Sequence, residues 1–198
     1  MEKRLVLFTS KYGAAAEYAV QIAEAIGCET ADASVFTKRD VEKFDTYIYG
    51  GGVHAGGIEG WDKFRKNFKG VLDDAYWEAV DRDGNFHEEL YKPRKRLICY
   101  AVGINIDNFE GRAQLRDVNF DKRWMRPIPC YYFGGRYDPE IVKGADALIM
   151  KTVKKMLVKK GLNMDANERR LLEYIENGCD LVDMKQIAPL VSEVLKVK

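Results

Sequence analysis

Two hydroxyl residues and a glycine lie between an apolar segment and a helical pattern near the beginning of the sequence. Thr9, Ser10 and Gly13 follow the apolar run Leu5–Phe8, and apolar residues then recur at helical spacing over residues 18–26. A strand that turns directly into a helix leaves the first N–H groups of that helix without backbone partners. These donors, the positive end of the helix dipole and the two hydroxyls favour binding of an anion such as a phosphate. An ordinary strand-to-helix turn is the alternative interpretation.

Two further glycine-containing segments also follow predicted strands. The strand at residues 46–49 leads into Gly50–Gly57, which holds five glycines in eight residues, and the strand at residues 96–102 leads into Gly103. Glycine lets a backbone approach a flat ligand closely. Because a ligand of an open parallel sheet lies outside the carboxyl ends of the strands, we expect these segments to lie beside Thr9–Gly13.

Strands alternate with helices along the chain, which predicts an α/β fold: a doubly wound, five-stranded parallel sheet with helices on both faces. The predicted strands cover residues 5–8, 28–33, 46–49, 96–102 and 129–133. The first helix is expected to bury Tyr18, Ala19, Ile22, Ala23 and Ile26. Later helices are expected over residues 61–68, 110–119, 139–160, 165–178 and near 187–195, and Asp165 and Glu168 predict a capping box at the beginning of the helix over 165–178. We predict a single domain over residues 1–198, with an excursion at 70–95 and a helical extension at 162–198.

The charge balance and the cysteine spacing argue against several classes of protein. Lysine and arginine number 32 against 31 aspartates and glutamates, so no global field favours nucleic acid. The apolar run ending at Phe8 is too short for a signal sequence, and no stretch approaches the roughly 20 apolar residues that cross a bilayer.

The cysteines are Cys28, Cys99, Cys130 and Cys179. They show no C-x-x-C spacing, which predicts reduced thiols, no metal site and a cytoplasmic location.

The segment Thr9–Gly13 resembles the phosphate loop of the flavodoxin family, whose pattern is Thr/Ser-x-Thr/Tyr-Gly-x-Thr. Tyr47–Gly56 resembles the family's apolar strand with its glycine-rich ring loop, and Cys99–Gly103 resembles its fourth strand. Asp180–Ala188 resembles the end of a flavodoxin-domain branch that includes the menaquinone-dependent protoporphyrinogen dehydrogenase. The resemblance implies the flavodoxin-like strand order 2-1-3-4-5 and noncovalent FMN.

The resemblance also implies which residues hold FMN. The phosphate would lie on Thr9, Ser10, Lys11, Tyr12, Gly13, Ala14 and Ala15. The ring would lie between two segments, made of Gly52, Val53, His54, Ala55 and Gly56 and of Val102, Gly103, Ile104 and Asn105. Ala15 stands where the family has a threonine; the lost hydroxyl weakens phosphate binding by about 1 kcal/mol, and Lys11 is expected to compensate as a point charge. His54 either hydrogen-bonds the flavin or is solvated. The candidates for stacking on the ring are Tyr12, Trp61, Phe109, Trp124 and Tyr137, although such aromatics more often pack in a core.

Other interpretations of the first loop fit the residues less well. A dinucleotide-binding loop needs G-x-G-x-x-G, and only Gly13 is present. A response regulator would have clustered aspartates where Thr9 and Ser10 stand, and a nucleotide P-loop would end in Gly-Lys-Ser/Thr. The remaining alternative is a flavodoxin-like fold with lost or weak FMN binding that serves as an interaction or regulatory module. Ala14 and Ala15 favour it. The retained Thr9 and Ser10 argue against it, as do the glycines after the third strand, which a ligand-free fold would not need.

The predicted function is electron transfer or flavin-dependent oxidation and reduction, with a redox protein or a small molecule as partner. Flavodoxins that act only as carriers tend to be strongly acidic, so the balanced charge of this chain leans towards an oxidoreductase. Residues 150–160 form a basic, amphipathic helix, for which covering the sheet is favoured over contact with a membrane surface or an acidic partner. The excursion and the extension are candidates for a substrate lid or a homodimer contact. The sequence does not assign catalytic residues.

Overall fold

A computed structural model describes residues 2–196. The central sheet of the protein contains five parallel strands. The predicted α/β fold with a parallel sheet is confirmed. The strands are β1 (Arg4–Thr9), β2 (Glu29–Asp32), β3 (Thr46–His54), β5 (Arg96–Gly103) and β6 (Cys130–Gly134), in the order β2-β1-β3-β5-β6, and the short β4 (Gly57–Ile58) pairs antiparallel with β3. The helices of this part are α1 (Ala14–Ile26), α2 (Trp61–Arg65), α3 (Lys69–Glu78) and α4 (Phe109–Asn119).

Alternating strand residues supply two apolar cores, one on each face of the sheet. Leu5, Leu7, Tyr47 and Tyr49 belong to one cluster, which also contains side chains of α2 and α3. The intervening strand residues belong to the other, which packs against α1 and against α7 (Ala188–Leu195). This period of two is what a strand buried on both faces requires. The five residues predicted to form the apolar face of α1 are all buried.

Two glycines of the run at Gly50–Gly57 make room for protein atoms and not for a ligand. A Cβ at Gly50 would lie 1.7 Å from the ring of Tyr100, and a Cβ at Gly51 would lie 2.7 Å from the carbonyl oxygen of Glu59. The expectation that a ligand-free fold would not need these glycines is therefore wrong for Gly50 and Gly51. The predicted loop is also shorter than expected, since β3 continues to His54 as a strand.

The segment after β6 departs from the sequence prediction. The antiparallel ribbon of β7 (Arg136–Tyr137) and β8 (Cys179–Asp180) brackets a pair of helices, α5 (Gly144–Lys160) and α6 (Ala166–Asn177). The helix predicted to begin at residue 139 begins at Gly144, because residues 138–143 form a turn. The capping box predicted for α6 is present, with reciprocal bonds between Asp165 and Glu168. The last two residues of the predicted extension, 197–198, lie outside the described part of the chain.

The basic helix α5 packs mainly on α6 and does not cover the sheet as predicted. Leu157 is the one buried residue among its 17 residues. An ion pair of 3.1 Å joins Lys154 to Glu176 of α6. The exposed side of α5 combines lysines with apolar residues such as Leu148 and Met156. Contact of this side with a membrane surface or an acidic partner stays a prediction.

We predict that Gly50→Ala destabilises the fold, because its Cβ would overlap the ring of Tyr100. The expected loss in free energy of unfolding is about 3 kcal/mol. Gly70→Ala is the matched control: Gly70 lies in α3 with open space around its Cβ position, so the change is expected to stabilise by about 0.5 kcal/mol. Urea denaturation of both variants measures the two effects, and equal stabilities would contradict the packing role of Gly50.

Candidate functional site

A cleft lies at the carboxyl ends of β1, β3 and β5, where the three segments singled out by the sequence meet. It encloses about 650 Å³ of space between its atoms, part of it open to solvent. Eleven of the sixteen predicted site residues line it: Ser10, Lys11, Tyr12, Ala14, Ala15, Gly52, Val53, His54, Val102, Gly103 and Ile104. The other five, Thr9, Gly13, Ala55, Gly56 and Asn105, do not line it.

The turn between β1 and α1 presents the beginning of a helix to the cleft. Gly13 is the N-cap of α1 with a φ of 91°, a conformation that a residue with a Cβ rarely adopts, and no side chain caps the helix. Ala14 and Ala15 are buried, and the hydroxyl of Tyr100 donates to the Ala15 carbonyl at 2.9 Å. The first N–H groups of α1 are therefore held rigidly at the edge of the cleft, which suits an anion.

The hydroxyl of Thr9 is directed to the protein interior. Tyr49 donates its hydroxyl proton to the Glu59 carbonyl at 2.6 Å, so Thr9 donates to the Tyr49 oxygen at 3.0 Å. Burial raises the pKa of Tyr49, which keeps its phenol protonated in this chain of bonds. Of the other predicted residues outside the cleft, Gly56 accepts a bond from Asn119 at 2.8 Å.

Seven residues that line the cleft were not among the sixteen predicted cofactor-binding residues, although Tyr137 was a candidate for stacking. They are Glu59, Gly135, Arg136, Tyr137, Val142, Asp146 and Met150. The glycine pair after the fifth strand was a usable signal for Gly135 and its neighbours, since it repeats the pattern seen after the third and fourth strands. Asp146 and Met150 reach the cleft because α5 docks beside it, and no local sequence signal reports that docking.

Asp146, in the first turn of α5, is bonded to the predicted phosphate loop. Its Oδ2 accepts from Lys11 Nζ and from the Tyr12 hydroxyl, both at 2.6 Å. Its Oδ1 lies 3.6 Å from His54 Nδ1. The bond from Lys11, followed by that from Tyr12, lowers the pKa of the Asp146 carboxyl, so the group is a carboxylate at neutral pH. The cation that was expected to compensate for Ala15 therefore already has an anionic partner.

Glu59 supplies a buried acceptor at the other side of His54. Its backbone is fixed, since its N–H donates to the Gly52 carbonyl at 2.8 Å. Its side-chain Oε2 is buried, lies 3.6 Å from His54 Nε2 and has no hydrogen-bond partner among the described residues. A buried acceptor without a donor is costly, so this atom suits a ligand that brings an N–H or O–H group.

Arg136 stands at the edge of the cleft next to α1. Its Nη1 and Nη2 donate to the two carboxylate oxygens of Glu17 at 2.9 and 3.4 Å, and its Nε donates to Asp180 at 2.8 Å. Glu17 belongs to the first turn of α1, and its Oε1 would lie 3.7 Å from a Cβ at Gly13. The guanidinium is thus held close to the uncapped beginning of the helix.

Two kinds of site are not found in the part of the chain that the structure describes. Over residues 2–196 no group of three or more histidines, cysteines, aspartates and glutamates could hold a metal ion. None of the described helices has the length and apolar character needed to span a membrane.

Comparison with known families gives a sequence match for the first part of the chain. Residues 5–80 match the family model described as Flavodoxin domain. The match covers less than half of the chain. The matched range includes residues 9–15 and the Gly52–His54 segment but not β5, the ribbon or the α5–α6 pair. No curated protein sequence matches the chain.

Three solved structures are among those similar to this chain. A flavodoxin, WrbA-like protein from Agrobacterium tumefaciens is 13% identical, with 67% of this chain and 83% of that chain covered and a TM-score of 0.42. A flavodoxin from the domain Archaea is 11% identical, with 88% and 96% covered and a TM-score of 0.38. The Trp repressor binding protein of Bacillus subtilis is 12% identical, with 74% and 90% covered and a TM-score of 0.43.

We predict that Asp146→Asn lowers the free energy of unfolding at pH 7 by about 0.5 kcal/mol, since Lys11 and Tyr12 lose a charged acceptor. Because the folded-state pKa of Asp146 is lowered, its contribution is present above the unfolded pKa of about 3.9 and is lost as the pH falls through the folded value. Urea denaturation at pH 7 and at pH 3 measures the difference between wild type and variant.

The matched control is Asp74→Asn, at an exposed aspartate of α3. It is expected to leave the stability unchanged at both pH values. A difference between wild type and Asp146→Asn that stays constant down to pH 3 would show that the carboxylate is not ion-paired in the folded protein.

Proposed function

We propose that the chain is an FMN-binding protein that transfers electrons, either as a carrier or as a flavin-dependent oxidoreductase. The observation that carries this proposal is the cleft at the carboxyl ends of β1, β3 and β5. The N-terminus of α1, which no side chain caps, lies at one end of the cleft, and glycine-containing segments lie beside it. In an open α/β sheet this is the position where ligands bind. The match of residues 5–80 to the flavodoxin domain supports the same ligand class.

The residues of the cleft fit a flat ligand that bears a phosphate. Gly52 and Gly103 line the cleft with backbone and no side chain. A Cβ would crowd protein atoms at either position, since it would lie 3.2 Å from His54 Nε2 at Gly52 and 3.1 Å from Ile106 Cγ2 at Gly103. Val53, Ile104 and Met150 offer apolar surface. The free acceptor of Glu59 suits an imide N–H of the flavin ring.

Each part of the cleft has a role in this proposal. The first turn of α1 and Ser10 would hold the phosphate, and the segments at Gly52–His54 and Val102–Ile104 would hold the ring. FMN would supply the redox chemistry, while the protein orients it and sets the polarity around it. His54, which lies between Glu59 and Asp146, would exchange a hydrogen bond with the ligand on the ring side.

The oxidoreductase form of the proposal draws on the sequence. The balanced charge and the resemblance of Asp180–Ala188 to the branch with the menaquinone-dependent protoporphyrinogen dehydrogenase support it. In the structure this segment ties the end of β6 to α1. The Gln186 side chain accepts a bond from the Gly134 N–H at 2.7 Å, and the Asp183 N–H donates to the Tyr18 hydroxyl at 3.0 Å. The substrate and the electron partner are not assigned.

An interaction or regulatory module is the second candidate, and one observation favours it. Two cations at the cleft are neutralised by carboxylates of the chain itself, Lys11 by Asp146 and Arg136 by Glu17 and Asp180. A flavin phosphate has to compete with these carboxylates. In a protein that binds no flavin, the same ion pairs would satisfy the two cations without a ligand.

The visible spectrum of the purified protein and a titration with FMN, followed by flavin fluorescence, distinguish the two candidates. The flavoprotein proposal predicts flavin absorption bands or saturable quenching. A colourless protein whose addition leaves the FMN fluorescence unchanged would refute it and would favour the interaction module.

We further predict that Gly13→Val weakens FMN binding at least about 100-fold, because a β-branched residue at a φ of 91° distorts the turn that presents the N–H groups of α1. Gly84→Val is the matched control: Gly84 has a φ of 87° in a loop, and a Cβ there meets nothing within 4 Å. Fluorescence titration of both variants, with circular dichroism to verify folding, makes the comparison. FMN binding that survives in a folded Gly13→Val protein would mean that the phosphate lies elsewhere.

A further inference from the structure

We propose that Arg136 binds the phosphate of the cofactor and replaces the threonine hydroxyl that the family pattern has at position 15, so that Arg136 sets the preference of this chain for FMN over riboflavin. This inference rests on the proposed function. Arg136, in the β7–β8 ribbon, would thus compensate for the hydroxyl missing at Ala15. The resemblance suggests Lys11 for that role.

The first step is the position of the guanidinium. Arg136 lines the same cleft as Ser10, Ala14 and Ala15, and it is bonded through Glu17 to the first turn of α1. Lys11, by contrast, extends to Asp146, whose other oxygen faces His54 on the ring side of the cleft. Of these two cations, Arg136 is therefore the one placed next to the donors of the helix.

The second step is the donor capacity of Arg136. A guanidinium has five N–H groups in a planar fork and is the side chain best suited to phosphate. The bonds to Glu17 and Asp180 account for three of these groups among the described residues, and both Nη atoms keep one further N–H for a ligand. The bond to Asp180 fixes the position of the guanidinium, because Asp180 lies directly opposite Arg136 in the β7–β8 ribbon.

The third step is charge. A phosphate monoester carries roughly −1.5 to −2 charges at pH 7. Ala15 offers no hydroxyl, it is 2% exposed and its carbonyl is taken by Tyr100. The ion pair between Glu17 and Arg136 is partly exposed to solvent, with side chains that are 44% and 35% exposed. A phosphate at the helix N-terminus can therefore reach the guanidinium and share it with Glu17 or displace Glu17 from it. Glu17 then acts as a competitor of the ligand.

The test compares the affinities of FMN and riboflavin, which differ by the phosphate alone. Arg136→Gln is expected to lower the FMN-to-riboflavin affinity ratio about tenfold or more, since a charge-assisted bond to the phosphate is lost. Glu17→Gln is expected to raise the ratio severalfold, because it removes the competing carboxylate. Arg170→Gln is the control: this arginine of α6 has a similar exposure and pairs with Asp107 at 2.8 Å, and its removal should leave the ratio unchanged.

The outcomes separate this inference from the proposed function. A wild-type protein that binds neither flavin refutes the proposed function and the inference with it. A wild-type protein that prefers FMN, with ratios for Arg136→Gln and Glu17→Gln within twofold of wild type, refutes the role of Arg136 alone. Should Arg136→Gln alone fail to fold, the double variant Glu17→Gln/Arg136→Gln is compared with Glu17→Gln. Equal ratios for these two variants would refute the role of Arg136.

Discussion

The bond from the Tyr100 hydroxyl to the Ala15 carbonyl is the contact on which the rest of the candidate site depends. Tyr100 lies in the centre of the sheet with no exposed surface, and its hydroxyl reaches the first turn of α1. The ring crosses Gly50, where a Cβ would lie 1.7 Å away. Residues from β5, β3 and α1 thus fix where the helix begins.

A buried hydroxyl without a hydrogen-bond partner is costly, so any displacement of this turn that breaks the bond from Tyr100 is unfavourable. The structure also explains why alanine stands at position 15, where the family pattern has threonine. The small side chain of Ala15 packs in the same buried cluster as Tyr100.

The parts of the fold that the sequence predicts well are those in which the signal is local. The apolar spacing of Tyr18, Ile22 and Ile26 and the capping box of α6 depend on neighbouring residues only, and both appear in the structure as expected. The meeting of the glycine segments at one edge follows from parallel topology, which is general. Asp146 and Glu59 could not be predicted in this way. Asp146 enters the cleft through the docking of α5 beside Lys11, and Glu59 through the pairing of β4 with β3. The β7–β8 ribbon, which positions Arg136, consists of two residues on each side and has no periodic pattern to detect.

Charge compensation within the cleft is the second constraint on function. Lys11, Arg136 and the beginning of α1 favour an anion, but Asp146, Glu17 and Asp180 already satisfy the two cations. Each new bond to a phosphate replaces a bond within the chain. The free energy of phosphate binding is therefore the difference between the free energies of these two sets of bonds. Such exchange costs little when the replaced pair is exposed and more when it is buried. The side chain of Glu17 is 44% exposed and that of Asp146 is 14% exposed. The exchange at Arg136 is consequently the easier of the two, and the bond between Lys11 and Asp146 is the one more apt to persist beside a bound ligand.

The persistence of the Lys11–Asp146 bond bears on how the cleft can open. Met150 and Asp146, both on α5, line one wall, and α5 contributes one buried residue to the protein. The polar contacts of the α5–α6 pair with the rest of the chain include the bonds of Asp146 to Lys11 and Tyr12 and the ion pair of Arg170 with Asp107. Segments with few buried apolar contacts open at a lower free energy than the core. Displacement of the α5 wall would therefore cost less free energy than displacement of the beginning of α1, which Tyr100 holds. A ligand that contacts both would join the less buried wall of the cleft to the more buried one.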